Sequence, residues 1–473
     1  MNQNRIKKQS DNFSGWYDSV IEHAKLAQPG LVKGTIFILP YAWAIWEEIQ
    51  NFINCQFKKE AISNVNFPSF LTQEAFIKEK KHIAGFAPEL FLIQQSEHLT
   101  QKPYVLRPTS EIIFCHYFKN NLQSYNQLPI KVNQWCNVFR AEKNTKAFLR
   151  TCEFFWQELH TLHADWFEAE TMIKTVINVY SDCLSKLLNI AFLSGYKTKL
   201  EKFAGADETF SLESLMPDGQ MLQSCTVHNL STNFTKAFDI YFNDANNQKQ
   251  LPYQTSAGIS TRILGAIIMN HGDDKGLVLP FQVAPYQIAI LDLVHNKTNE
   301  QQKYFDQIVA SLKSYRYKID NTKKGFGFKI QNEELLGTPF SIVVGSKEID
   351  QKVVLCINRF NSSKEIVPIN QLDIWLTTKI EWYQMQMLTK SQKRLNDAIV
   401  LCENFEQVIK VVQEQKIALA AWFDDVDNEN KFYEAKLGFS IRCIQKRINP
   451  SQQQLCIFSQ KPANCLVYFA RSY

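Results

Sequence analysis

Apolar and polar positions change their period along the chain, and the changes outline its elements. The densest apolar run, residues 35–46, is interrupted by Pro40 and gives way to Glu47 and Glu48. It predicts a helix over 43–49, and it falls short of the roughly 20 apolar residues that a bilayer span needs. Residues 112–118 read as a further helix. Residues 130–142, IKVNQWCNVFRAE, alternate at period two, so Val132, Gln134, Cys136, Val138, Arg140 and Glu142 share one face. A polar loop at 143–146 follows, then a second strand-like run over 148–161 in which Phe154, Trp156, Glu158 and His160 share a face. The two runs predict an antiparallel hairpin with a long loop. In 222–228, LQSCTVH, Thr226 and His228 are in phase, and Gln223 joins them only through a bulge. GISTR at 258–262 leads into an apolar helix over 263–269, with Ser260 or Thr261 as its cap. From about Val283 the order becomes a strand (287–294), a helix (300–314), and strands near Lys329 and over 340–345. That order predicts a small α/β domain with a mostly parallel sheet. A third region, from about Trp375, opens with a helical pattern over 379–396 and closes in a strand over 465–470.

Composition narrows the class. At about 100–200 residues per domain, 473 residues imply two to four domains. A hydrophobic share of 45% and a charged share of 21% are those of a globular protein, which excludes a disordered, collagen-like or coiled-coil chain. A net charge of +5 neither demands nor excludes a nucleic-acid partner. Eleven cysteines, scattered without a CxxC pair, read as reduced thiols of a cytoplasmic protein. The opening MNQNRIKKQSDN has no apolar stretch behind its charges, so neither a secretory signal nor a membrane partner is expected.

Chemistry concentrates in the hairpin. A carboxylate, an imidazole and a guanidinium facing inward among aromatics cost several kcal/mol each unless paired or used. Arg140, Glu142, Glu158 and His160 on adjacent strands therefore point to a site. Upstream, in LRPTSE, Thr109 or Ser110 could cap the helix over 112–118. Downstream, the helix start at Ser260 and Thr261 would offer N–H groups to an anion, with Arg262 beside it.

These residues carry a resemblance. FRAE followed by FLRTCEFFWQELHT resembles the second signature of class II aminoacyl-tRNA synthetases, and GISTRILGAIIMNHGDDKGLVLP the third. Residues 32–40 running into the 43–49 helix resemble the first, which in that family builds a dimer interface. RPTSE, KFAGAD (202–207), the Gln223, Thr226 and His228 set and the terminal ARSY resemble the prolyl-tRNA synthetases. The resemblance covers essentially the whole chain. It implies an α+β fold: a class II catalytic domain (1–280) of antiparallel sheet and flanking helices, an α/β anticodon-binding domain (281–380) and an α+β C-terminal domain (381–473). The implied partners are L-proline, ATP with Mg²⁺, tRNA(Pro) and a second copy of the chain.

The resemblance also assigns residues. Arg140 would touch both proline and the α-phosphate, and Arg262 would lie near the terminal phosphate with Ser260 close by. Glu142 would accept from the adenine amino group, with Arg150 and Thr151 lining the nucleotide. Gln223 and Thr226 would contact ATP, and Gln223 its Mg²⁺. Thr109 and Glu111 would hold the proline ammonium. Phe86, Trp156, Glu158, His160 and His228 would surround the ring. Glu334 and Lys347 match positions expected to read guanine edges. Residues 281–380 carry 13 basic and 10 acidic side chains, a weak attraction for RNA.

Two features depart from relatives. Arg140 and Arg262 are only 122 positions apart, which leaves no room for the editing insertion of bacterial-type prolyl enzymes. The chain thus resembles the archaeal and eukaryotic-like group, whose C-terminal domain often holds zinc on four cysteines. Here Phe423 and Phe458 stand where cysteines would be, Cys456 remains, and Cys443 and Cys465 are off pattern. One thiolate cannot build a tetrahedral site, so no structural zinc is expected. Among alternatives, a threonyl enzyme would need a His and Cys zinc site, and a seryl enzyme would lack the α/β domain. A catalytically dead paralogue would have lost Arg140 or Arg262.

Overall fold

The structure is a computed structural model that describes residues 6–75, 90–93, 103–449 and 454–473. In its catalytic part, helix α1 (Pro40–Lys59) precedes a short strand β1 (Ser63–Asn64), and helix α2 (Glu111–Asn121) precedes the hairpin β2 (Ile130–Phe139) and β3 (Glu153–His163). Helix α3 (Trp166–Asp182), strands β4 (Leu193–Tyr196), β5 (Glu208–Leu215), β6 (Gln220–Ser231) and β7 (Tyr253–Ser260), and helix α4 (Arg262–His271) follow. The strands lie in the order β4-β5-β6-β7-β3-β2, every neighbouring pair antiparallel, with β1 parallel at the edge.

Helices cover one face of this sheet. Asp165 caps α3 by accepting from the Glu168 N–H, and Ala169, Met172, Ile173, Val176 and Tyr180 form its buried stripe at helical spacing. Met172, Ile173, Val176 and Tyr180 pack with Trp46, Ile49 and Ile53 of α1 and Ile263, Leu264 and Ile267 of α4 against Leu159, Val227, Ala257 and Ile259 of the strands. Fully burying each such side chain contributes about 1.5–3 kcal/mol. Because strand side chains alternate, Glu158, His160, Thr226 and His228 point to the opposite face. The register pairs Gln134 with Glu158 and Cys136 with Trp156, so the two predicted faces do meet. The second strand begins at Glu153, later than its apolar pattern suggested.

Next in the chain come β8 (Ile288–Asp292), α5 (Asn299–Ser311), β9 (Tyr317–Asp320), α6 (Phe326–Leu336), β10 (Phe340–Val344), β11 (Val353–Asn358) and β12 (Lys364–Pro368). Two expectations are corrected here. The strand expected near Lys329 is helix α6, and the strand lies upstream as β9. Lys329 and Glu333, four apart on one helical face, are both buried, with Lys329 Nζ donating to the carbonyls of Asp292 and Asp320 at 2.7 and 2.8 Å. Gly337, at φ 70°, closes the helix in a left-handed cap. The sheet, ordered β9-β8-β10-β11-β12, is mixed instead of mostly parallel. β8 pairs parallel with β9 and β10, while β10–β11 and β11–β12 are antiparallel, because the short connections after β10 and β11 fold the chain straight back.

Helix α7 (Leu372–Ala398) runs unbroken from the core of this unit, through Leu376, Tyr383 and Met387, to a contact of Leu395 and Ala398 with Leu193 and Leu215. Beyond it lie β13 (Ile399–Leu401), α8 (Phe405–Gln413), β14 (Ile417–Trp422), α9 (Val426–Glu434), β15 (Ser440–Arg447) and β16 (Cys465–Ser472). Their strands continue the catalytic sheet to 11 strands among the described residues. Two seams make the join: Ile444 of β15 pairs with Tyr196 of β4, and Arg471 and Ser472 pair parallel with Gln220 and Met221. The core here is aromatic. Phe458 lies 5.0 Å from Phe405, 5.9 Å from Phe432 and 6.0 Å from Trp422, centroid to centroid.

Candidate active site

The helix-free face of β3, β5, β6 and β7 forms one wall of a cavity of about 570 Å³. Thr109, Glu111, Arg140, Trp156, Glu158, Gln223, Thr226, His228, Ser260 and Arg262 line it. A recess beside it, sharing Arg140, Ser260 and Arg262, adds Glu142, Arg150 and Thr151. His160 lies fully buried behind Glu158. Phe86 falls outside the described residues. Residues scattered over more than 150 positions of sequence thus converge on one pocket.

Local structure explains how each is presented. Gln223 reaches the face of Thr226 and His228 because Leu212 pairs with Cys225 while Glu213 pairs with Gln223, leaving Ser224 as the extra residue of a bulge. Arg107 is buried and donates to the carbonyls of Asn137, Phe67 and Pro68 at 2.9, 2.8 and 3.0 Å, which fixes the turn carrying Thr109 and Glu111. Neither Thr109 nor Ser110 caps α2 with its side chain. The Thr109 hydroxyl bonds Glu111 instead, and Ser110 Oγ accepts from Gln134 Nε2 at 2.9 Å. At α4 the Thr261 side chain makes no cap bond, while Ser260 Oγ accepts from the Arg262 N–H at 3.3 Å.

One end of the cavity is acidic. Glu158 accepts from the Ser110 N–H at 3.1 Å and from Gln134 Nε2 at 3.2 Å, and His160 Nε2 lies 3.1 Å from it. Burial alone would raise its carboxyl, but His160 and Ser110 hold it below the usual value. Burial first, then the Glu158 charge, raises Glu111. Such a pair in an apolar pocket favours a bound cation. His228 sits against Phe203 with its Nδ1 3.0 Å from Thr209 Oγ1, and burial pushes it down to about 3, so it is neutral.

The other end is basic. Burial, then Arg140 and Arg150, lowers Arg262 to about 10, still charged at neutral pH. Three guanidinium groups that repel one another make a site for an anion. Arg140 links the two ends: its guanidinium lies 5.1 Å over the Phe154 ring and 5.9 Å over Trp156, its Nε donates to the Pro108 carbonyl at 3.1 Å, and Glu111, Glu142 and Glu158 all act on its charge. The pocket can therefore hold a small cation beside a carboxylate and a polyphosphate further along.

Sequence reasoning missed Lys197, Glu201 and Thr209, which also line the cavity. Phe203, in KFAGAD, carried a signal; Lys197 and Glu201 sit in an irregular segment without periodicity. Of the two expected anticodon readers, Glu334 is paired with Lys275 at 2.7 Å and Lys347 is exposed in the short helix Ser346–Asp350.

Comparison with known proteins follows the same division. Residues 93–271 match the tRNA synthetase class II core domain (G, H, P, S and T), 287–379 an anticodon binding domain, and 405–473 the prolyl-tRNA synthetase C-terminal family. The chain is 42% identical over 471 residues to a proline–tRNA ligase of Malacoplasma penetrans, covering 99% of this chain and 100% of that one. It is 42% identical over 470 residues to one of Ureaplasma parvum, covering 99% of each. Two solved structures of prolyl-tRNA synthetase from Cryptosporidium parvum are similar. One, complexed with halofuginone and AMPPNP, has a TM-score of 0.94 at 34% identity, covering 99% of this chain and 100% of that one. The other, complexed with L-proline and AMP, has a TM-score of 0.91 at 32% identity, covering 99% of each.

Proposed function

The chain belongs to the prolyl-tRNA synthetase family, and from that premise we propose how its pocket carries out the family's reaction. The enzyme joins proline to tRNA at the expense of ATP. Proline's carboxylate oxygen attacks the α-phosphorus, the bond to the β-phosphate oxygen breaks, and pyrophosphate leaves. A hydroxyl of the terminal tRNA ribose then attacks the acyl carbon of prolyl-adenylate and AMP departs. Both steps build negative charge on oxygens between weakly reactive partners, so positioning and fixed positive charge supply most of the acceleration.

The observation that carries the assignment of residues is Arg140 standing between an acidic end and a basic end. Glu111 and Glu158, with Thr109, take the secondary ammonium of proline. Trp156, His228 and the buried His160 shape the walls around the ring, with Phe86 assigned by resemblance. Arg140 bridges the proline carboxylate and the α-phosphate, stabilising charge where it develops. Arg262, with Ser260, holds the far phosphates. Glu142, Arg150 and Thr151 border the adenine, and Gln223 and Thr226 the sugar-phosphate. On this side Gln223 offers an amide oxygen and Glu142 a carboxylate, which suits Mg²⁺ carried largely by the phosphates. The test is ATP–pyrophosphate exchange measured with each amino acid: exchange should depend on proline, and its dependence on threonine, serine or histidine instead would reject the assignment.

Four further points belong to the same reading. Leu31, 98% exposed, with Val32 and Phe37 nearby, gives the first signature an apolar surface that a second copy would cover. Glu334 and Lys347 contact the tRNA anticodon, which requires Glu334 to leave Lys275. The C-terminal region works without zinc. Cys456 Sγ accepts from Asn428 Nδ2 and the Ser459 N–H, Cys465 is held up as a thiol by burial, and Phe458 fills the space with aromatic packing. The protein acts in the cytoplasm, in keeping with the absence of any described helix long and apolar enough to cross a membrane.

A further inference from the structure

Three side chains of the C-terminal region grip the segment that carries Lys197, Glu201 and Phe203 into the cavity wall, and a fourth, that of Arg442, bonds Glu213 beside it. Asp424 Oδ1 accepts from the Lys199 N–H at 3.1 Å, and Glu429 Oε2 from the Leu200 N–H at 2.7 Å. Tyr433 donates its hydroxyl to Glu201 at 2.5 Å. Arg442 does more than hold backbone. Its Nη2 and Nε donate to Glu213 Oε2 at 2.7 and 3.2 Å, and Lys197 Nζ donates to Glu213 Oε1 at 2.7 Å and to the Arg442 carbonyl at 2.6 Å. Glu213 has no exposed surface, and Lys197 and Arg442 are 6% exposed each. Two cations against one carboxylate leave this buried trio one net positive charge. Lys197, which has three donors, spends two of them within the trio.

The trio abuts the nucleotide half of the pocket. Glu213 lies across from Gln223 in the bulged register, its charge is felt by Arg262, and Lys197 lines the same cavity as both. We infer that Arg442 is a positioning residue for ATP, acting through Glu213 and Lys197. By neutralising half of Glu213 it keeps Lys197 on the cavity wall with one donor and a net positive charge to spare for an anionic oxygen of the nucleotide. Without it, Glu213 would be left to Lys197 alone, the site would lose its net positive charge, and Lys197 would be pulled inward, away from the phosphates.

This inference rests on the assignment of the pocket to ATP and proline, and proline-dependent exchange by the wild-type chain establishes that assignment separately. In the full chain, Arg442→Gln should raise the KM for ATP on the order of 10-fold while the KM for proline stays within about twofold, a split that general loosening would not produce. Arg442→Lys should restore much of the ATP affinity. The Glu213→Gln/Arg442→Gln double variant, which removes the carboxylate along with its partner, should bind ATP better than Arg442→Gln alone. An Arg442→Gln enzyme with an unchanged KM for ATP would overturn the inference, as would equal rises for both substrates. If Arg442→Gln does not fold, Arg442→Lys carries the test: it should hold the KM for ATP within a few-fold of wild type, and a rise on the order of 10-fold, or an equal rise for proline, would overturn the inference.

Discussion

Arg140 shows how much one side chain can be asked to do. Its guanidinium stays charged at any working pH and can bridge two anions with its fork. Losing one preorganised charge typically costs on the order of 100–1,000-fold in turnover, and Arg140→Ala should lose that much pyrophosphate exchange while melting near the wild-type temperature. Near wild-type exchange in that variant would remove Arg140 from the site. A different residue should set the pH response of stability. Burial raises the Glu429 carboxyl from an ordinary 4.5 to about 7, with Asp424 and Glu201 adding repulsion. The unfolded chain gives up that proton near 4.5, so between pH 4.5 and 7 the unfolded state binds fewer protons and stability falls as pH rises. The loss reaches about 3 kcal/mol above pH 7. Glu429→Gln should therefore melt progressively higher than wild type as the pH is raised from 5 to 8; parallel melting curves would show that Glu429 stays charged throughout. At this scale the chemistry-bearing residues were legible where they stood out against an apolar period, as Glu158 and His160 do. Arg107 and Glu429 were not, because burial alone distinguishes them from surface charges.

At the scale of elements, alternation told which face a strand would bury, and the hairpin follows it. The bulge at Ser224 was legible only as a condition, since a bulge leaves no mark in the sequence beyond a broken phase. The strand expected at Lys329 turned out to be a helix for a related reason: its buried face carries Lys329 and Glu333, and buried charges erase the apolar period that would have declared it. The seams between elements can be tested. A Cβ at Gly195 would collide with the backbone carbonyl of Ile444 at the junction of β4 and β15. Gly195→Ala should cost about 1–3 kcal/mol of stability, read as a lower denaturation midpoint, and should loosen the C-terminal strands toward protease. An unchanged midpoint would mean that β15 yields without cost. The aromatic cluster around Phe458 makes its own forecast. Because a structural metal is folding energy, a chelator should leave the melting temperature unchanged, and elemental analysis should find well under one zinc per chain. Stoichiometric zinc would refute it.

For the whole molecule, the consequential feature is the stretch between Arg140 and Arg262. About half of it is spent on β3, α3, β4, β5, β6 and β7, and the connection from β6 to β7 holds only short elements. Alanine lacks methylenes worth only about 1–3 kcal/mol each in an apolar pocket, so some alanyl-adenylate should form. With no editing domain in that stretch, the purified enzyme should leave preformed Ala-tRNA(Pro) intact beyond its spontaneous hydrolysis. Faster deacylation would reveal an editing site elsewhere in the chain. By itself the sequence determined the faces of the catalytic hairpin, because strand period and charged groups set among aromatics are local facts, and its motifs carried the resemblance that implied the class of fold and the candidate residues of the pocket. Only the tertiary structure decided that Glu111 and Glu158 share one pocket with their carboxyls shifted in opposite directions, and that Arg140 and Arg150 bring their charges to bear on Arg262. It alone decided that the C-terminal strands extend the catalytic sheet and reach Lys197 through Arg442. Those are properties of distance and burial between segments far apart in the chain, and no local pattern encodes the dielectric or the neighbour that a side chain will meet.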